Sequence, residues 1–220
     1  QRLMSHYIAQ PPEIQRTLYN GLSEPLQCAA NYPFYVSQKL VSELGSRISP
    51  HPHNPPFTPV EDHEPPTIFV TEAKCKELGS LISLNDRIVA VDAAMRSLIE
   101  DFEPGVNRFF PIDIMMPKGI RFERPFFVLW IGQYRDSFVP SASNPEAFTE
   151  LPDSGDRLKI KTSQPSSIKG LALARDEISG AHLWRERKFG EWLTCFSDKL
   201  HQAIEDAGLL TPKMWRLRDA

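Results

Sequence analysis

Cysteine is scarce in this sequence: Cys28, Cys75 and Cys195 are the only three in 220 residues. They are far apart and odd in number, with no CxxC or CxH spacing, so neither a zinc knuckle nor a disulfide framework is indicated. Thiols buried in a reducing cytoplasm, packed like small hydrophobes, are the expectation. Long apolar runs are missing as well. Nothing approaches the roughly 18–20 residues that cross a bilayer, and no basic segment leads into an apolar one as in a secretion signal. Cytoplasmic residence without a membrane partner is expected. There is little excess charge either: a net −3 and a pI near 6.1 supply no general electrostatic reason to bind nucleic acid. Glycine-rich and metal-binding signatures are also lacking, with no GxGxxG, P-loop, HExxH or GxSxG. No cofactor and no metal are implied.

What is present suits an ordinary globular chain, with 41% hydrophobic and 24% charged residues. Proline is plentiful and unevenly placed. In "SPHPHNPPFTPVEDHEPP" (Ser49–Pro66) seven of eighteen residues are proline, which fixes φ, removes amide donors and forbids a helix or central strand. This predicts an N-terminal lobe over 1–48, a proline-rich loop over 49–66 and a main body over 67–220, or one continuous domain over 1–220. A second loop is expected at "PSASNPEAFTELPDSGD" (Pro140–Asp156) from its Pro, Ser, Asn and Gly content.

Apolar periodicity predicts a long helix over Asn85–Gly105, with Ile88, Val91, Ala94, Met95, Leu98 and Phe102 on one face and Pro104-Gly105 as its stop. A second, shorter helix is expected after Ser197. There the Ser hydroxyl is an N-cap candidate, Asp198 lies at the positive end of the dipole, and Gly208 ends the helix. Leu200, Ala203, Ile204 and Ala207 form its apolar stripe. The segment "FYVSQKLVSELGS" (Phe34–Ser46) repeats that grammar, with Ser37 as the cap. Aromatic and β-branched runs predict strands at "SHYIA" (Ser5–Ala9), "RFFPIDIMM" (Arg108–Met116), "PFFVLWIGQY" (Pro125–Tyr134) and "RLKI" (Arg157–Ile160). Further strands are expected at "GLALA" (Gly170–Ala174), "AHLWR" (Ala181–Arg185), "EWLTCF" (Glu191–Phe196) and "KMWRLR" (Lys213–Arg218). Because "FFVLWI" is apolar on both faces, it belongs in the centre of a sheet. A helix first, many strands after and a helix near the end argue for an α+β fold with a mainly antiparallel sheet.

No constellation carries an obvious chemistry. His51, His53 and His63 lie in the proline-rich loop, which supplies little of the fixed geometry that a metal needs. Cys195, between Thr194 and Phe196, has a strand-interior context rather than that of a nucleophile. Trp184 and Trp192 sit at strand positions and are expected in the core. Two rival readings stay open. One is an enzyme of unrecognised type, with His182, Asp176 and Glu177 clustered near a sheet end. The other is a nucleic-acid or regulatory module that uses the Trp-Arg segments "LWRERKFGEW" (Leu183–Trp192) and "KMWRLRDA" (Lys213–Ala220).

Four stretches together resemble a known family. "EPGVNRFFPIDI" (Glu103–Ile114) is similar to that family's helix–Pro-Gly–FFP strand junction, and "FFVLWI" to the two-faced strand that follows it. "ISGAHLWR" (Ile178–Arg185) and "CFSDKLHQAIEDAGLLTPKMWRL" (Cys195–Leu217) resemble its closing segments. The family is that of the bacterial polymorphic-toxin immunity proteins, the α+β group numbered eleven. The resemblance covers about residues 30–218 and departs from the family pattern at Pro212, where glycine is usual, and in the loop over 49–66. It implies a cytoplasmic, non-enzymatic protein that binds and blocks a cognate toxin, often a nuclease. From Glu61 to Glu103 the chain carries ten Asp/Glu against four Lys/Arg, a segment that a basic nuclease domain would find attractive. The expected partner-binding residues are Glu61, Asp62, Glu64, Glu100, Asp101 and Glu103.

Overall fold

The fold is described from a computed structural model, over residues 6–9, 65, 67–71, 77–84, 89–152, 155–161, 165–189, 193–212 and 214–220. Phe34–Ser46, the loop over 49–66 with its three histidines, and Trp192 lie outside these residues. The described elements begin with β1 (His6–Ala9), β2 (Ile68–Val70), β3 (Leu81–Ser83) and β4 (Val89–Asp92), then α1 (Ala93–Phe102). β5 (Arg108–Met116), β6 (Ile120–Arg121), β7 (Phe126–Trp130) and β8 (Tyr134–Arg135) follow. β9 (Phe148–Glu150), β10 (Leu158–Ile160), β11 (Ala172–Leu173) and β12 (Leu183–Glu186) lead to β13 (Thr194–Ser197) and α2 (Asp198–Asp206). The chain closes with β14 (Met214–Arg216) and β15 (Arg218–Asp219).

Two sheets organise these elements into an α+β fold. The first has the order β2-β5-β7-β4-β3, with β6 folding back on the far end of β5; the second has the order β14-β1-β13-β12-β8. β9 and β10 form one small ribbon, β11 and β15 another. Most pairings are antiparallel; β2 with β5, β8 with β12, and β11 with β15 are parallel. β1 comes from the segment read as the N-terminal lobe, and it is hydrogen-bonded between β13 and β14 of the second sheet.

Alternation along β7 explains its place between β5 and β4. Phe126 and Val128 bury on one face of the first sheet, Leu129 and the following Ile131 on the other. The register lines up Ile82, Ala90, Val128 and Phe110 in a buried row across four strands. The opposite face packs on both helices: Val91 and Leu129 share one cluster with Met95 and Ile99 of α1, Leu200 and Ile204 of α2, and Leu183 and Phe196 of the second sheet. The far face of the second sheet builds a third cluster around Trp184, Cys195 and Trp215. Those three stand in one row with Ile8 of β1.

The C-terminal helix forms as its sequence predicts. Ser197 Oγ accepts from the amide of Leu200 at 3.1 Å, and Gly208 takes φ +64° just past the end. Of the expected stripe, Leu200 and Ile204 are buried, Ala203 is half-buried and Ala207 is exposed. The first helix corrects the reading. The helix occupies Ala93–Phe102 only, and Val89–Asp92 is strand β4. Val89, Ala90 and Val91 alternate between two cores, and β-branched residues fit that pleated setting better than a helix. Asp92 then caps α1, with its Oδ1 accepting from Met95 N at 2.9 Å. Ala94, assigned to the apolar face, is exposed.

Candidate partner-binding site

Of the six expected acids, Glu61, Asp62 and Glu64 lie outside the described residues. Asp101 is exposed and Glu100 half-buried in the last turn of α1. Asp101 shares a face with Ala94 and Ser97, all three exposed and spaced at i, i+3 and i+7 as helix neighbours require. Glu103 parts company with them and does not present its carboxylate to solvent. It is the C-cap residue of α1, turned off the helix at φ −139°, and it is 7% exposed. Its carboxylate accepts from Gln133 Nε2 at 2.6 Å, His182 N at 2.7 Å and Leu183 N at 3.1 Å. That carboxylate ties the end of α1 to the start of β12, so Glu103 belongs to the scaffold.

The rival clusters are not assembled. Asp176 and Glu177 stand exposed in a short 3₁₀ turn, Asp176–Ile178. His182 instead pairs through Nδ1 with Ser197 Oγ at 2.7 Å and meets Phe102 edge-on at 5.0 Å. A Ser-His pair with a carboxylate nearby invites comparison with a nucleophilic triad. Here Ser197 is 2% exposed and already caps α2, and Glu103 bonds the backbone of His182 rather than its ring. Trp184 is fully buried and Trp215 is 8% exposed, so neither ring faces solvent where a base could stack. Among the described residues no group of three or more His, Cys, Asp or Glu could hold a metal ion, and no helix is long and apolar enough to cross a membrane.

Two buried ionisable groups escaped the sequence reading in part. Glu186, fully buried on β12, accepts from the amides of Ser137, Phe138, Lys188 and Phe189. Burial pushes its carboxyl above the ordinary range, even though those amides pull the other way. Cys195 lies in the core as expected. Burial, reinforced by the Glu186 charge, raises its thiol well above the usual value, which suppresses the reactive thiolate. In a C28S/C75S background, Cys195 should label with iodoacetamide at least about a thousandfold more slowly in native buffer than in guanidinium, because labelling needs an opening of the core. Mass spectrometry of timed aliquots checks this; comparable rates in the two conditions would contradict a closed core.

A cleft of about 820 Å³ lies where the N-terminus of α1, the β5–β6 hairpin and the residues after α2 meet. Leu78, Met116, Phe122 and Leu209 line it, together with the exposed Ile120 and Leu210. One wall is fixed by Arg124, whose guanidinium donates to Asp92 and to the carbonyl of Leu78. Asp92 also accepts from Ser80 Oγ at 2.7 Å, so one carboxylate joins helix cap, loop and cleft wall. The cleft opens beside Ala94, at the start of the exposed stripe that ends on Asp101.

With this geometry in place the comparison with known families is direct. The Imm11 immunity protein family model matches residues 27–218, most of the chain. The chain belongs to this family. The match spans α1 and every described strand of the first sheet, and it reaches into β15, so the two helices and the cleft are all within the Imm11 region. No curated protein matches the chain in sequence. As an immunity-family member, it is expected to act on a toxin partner.

Proposed function

We propose that this Imm11 protein binds a cognate toxin domain in the cytoplasm and neutralises it by covering the toxin's active site, without catalysis of its own. Membership of the immunity family carries the reading. It is supported by the way the buried acids and the His182–Ser197 pair are engaged in holding the fold. The toxin's chemistry is proposed to be that of a basic nuclease domain. The acids expected to meet it are Glu100 and Asp101, together with Glu61, Asp62 and Glu64.

The direct test uses the toxin domain encoded beside this gene, produced with and without the protein. Survival of cells expressing both, and formation of a stable purified complex, is the expected result; toxicity undiminished by the protein would sink the proposal. Charge should act chiefly on the encounter. Reversal of Glu61, Asp62, Glu64, Glu100 and Asp101 to lysine is expected to slow association about tenfold at low salt, with the difference shrinking as ionic strength screens it. Stopped-flow or biosensor association rates at several salt concentrations check this. An unchanged on-rate would remove the acids from the interface.

A further inference from the structure

We infer that the cleft between α1, the β5–β6 hairpin and Leu209-Leu210 is the anchor site for the partner, and that it takes a toxin segment presenting an apolar side chain next to a lysine or arginine. The inference rests on the immunity reading and specifies which surface does the binding and what chemistry fits it.

The apolar part of the argument comes from exposure. Among the described residues only four large hydrophobic side chains are exposed: Ile68, Val70, Ile120 and Leu210. Two of the four, Ile120 at 45% and Leu210 at 39%, line one concavity. Leu78 and Met116 line it too and are buried to 3% and 9% exposure, so a side chain entering the cleft meets apolar surface. Interface hot spots are of this kind, an anchor residue filling a preformed, desolvated pocket. The segments that carry both residues are held in place. The carbonyl of Leu210 accepts from Ser80 N at 2.6 Å, and the β5–β6 hairpin is closed by Phe122 N on Ile114 O at 2.8 Å.

Charge selects the occupant. The two cations that line the cleft are already engaged, Arg124 with Asp92 and Arg121 with Asp113. The acids Glu77 and Glu123 also line it, both are exposed, and neither has an ionic partner among the described residues. Apolar lining with two carboxylates that have no ionic partner among the described residues favours a basic-apolar segment and opposes an acidic one. The exposed stripe Ala94, Ser97 and Asp101 leads from the cleft toward the acidic end of α1. A basic toxin drawn in along that stripe reaches the cleft with its apolar anchor.

The test measures binding of the adjacent-gene toxin domain to the full-length protein by biolayer interferometry. The variants are I120D, L210D and the double variant E77K/E123K, with I68D as the control on a different exposed position. Thermal unfolding of each free variant verifies folding, and light scattering verifies its mass. Dissociation constants about a hundredfold weaker for I120D and L210D, about tenfold slower association for E77K/E123K at low salt, and a change within about threefold for I68D are the expected result. If the cleft variants bind and neutralise within about threefold of the unmodified protein, the docking assignment is overturned and the immunity reading stands. If the unmodified protein does not bind the toxin at all, the immunity reading fails, and the assignment falls with it. A dimer of the unmodified protein that becomes monomeric in I120D would mean that a second copy occupies the cleft, and would overturn the assignment too.

Discussion

Replacing Glu186 by alanine should lower the stability of the folded protein by about 4 kcal/mol, out of a total that is ordinarily about 5–15 kcal/mol. The carboxylate works as two paired acceptors. Oε1 receives the amides of Ser137 and Phe138 at 3.1 and 3.0 Å; Oε2 receives those of Lys188 and Phe189 at 2.6 and 3.3 Å. One side chain thus closes the turn after β12 and pins the chain that follows β8. Alanine takes the acceptor from the buried amides of Ser137 and Phe138 and from the part-buried amide of Lys188, each costing about 1–3 kcal/mol if nothing relaxes, while Phe189 N keeps the Glu186 carbonyl at 3.2 Å. Glutamine is the informative second variant. Its carbonyl satisfies one pair of amides, but its NH₂ group confronts the other pair with a donor, so about half of the loss should return. Urea midpoints for the three proteins check this order. Glutamine equal to the unmodified protein would show that the amides find other partners.

The same residue adds a pH dependence. Burial raises the folded carboxyl above its ordinary value of 4.5. Between that value and the raised one, the unfolded chain has released the proton while the folded chain retains it. Folding therefore binds a proton in this window, and stability falls as pH rises through it. Glu186→Gln removes the group, so the difference in stability between the unmodified protein and E186Q should narrow across that window as pH increases. His201, on α2, titrates the other way. Burial lowers its pKa below 6.5 against the opposing pull of Glu205 and Asp198, so stability falls as pH drops from 6.5 through that lowered value.

Gly132→Ala should cost about 3 kcal/mol for a reason that has nothing to do with backbone freedom. A Cβ at Gly132 would lie 1.7 Å from the carbonyl oxygen of Val106 and 2.9 Å from its carbonyl carbon. Both are backbone atoms in the loop that follows α1, and Asn107 Oδ1 accepts from Gly132 N across the same contact at 3.1 Å. Relief therefore requires the two segments to separate. Gly105 in the same loop makes the contrast, with φ +71° and nothing within 4 Å of an added Cβ. There alanine meets only the left-handed backbone penalty, about 1 kcal/mol. Thermal and urea unfolding of G132A and G105A should separate the two. Equal losses would mean that the loop yields easily at Val106.

How much of this could be read beforehand depends on whether the deciding contact is local. The cap at Ser197 and the stop at Gly208 act within one turn of chain, and both were legible as residue types at the right spacing. β5 occupies Arg108–Met116 as its aromatic and β-branched run predicts, and β7 lies inside its sheet because both its faces are apolar. Asn85–Gly105 was misread because Ile88 and Val91 satisfy a helical spacing, while Val89–Ala90–Val91 equally satisfies a strand. The sheet settled it by offering β3 on one side and β7 on the other. Sequence proximity groups Glu103 with Glu100 and Asp101, yet its carboxylate is held at the start of β12, about eighty residues further on. Glu186 sat unnoticed in a run of basic and aromatic residues, since nothing nearby in sequence reveals four amides arriving from two loops.

Residue order alone carries the class of this protein: α+β elements in a mainly antiparallel order, their helix punctuation, and motifs that resemble an immunity family whose model spans residues 27–218. Those features depend on periodicity and short-range hydrogen bonding, which a linear text records. Only the tertiary structure decided which acids are surface and which are struts. It also brought Ile120 and Leu210, ninety residues apart, into the lining of one cleft with Glu77 and Glu123. Burial and convergence are properties of chain segments that meet in space, and no local pattern encodes them.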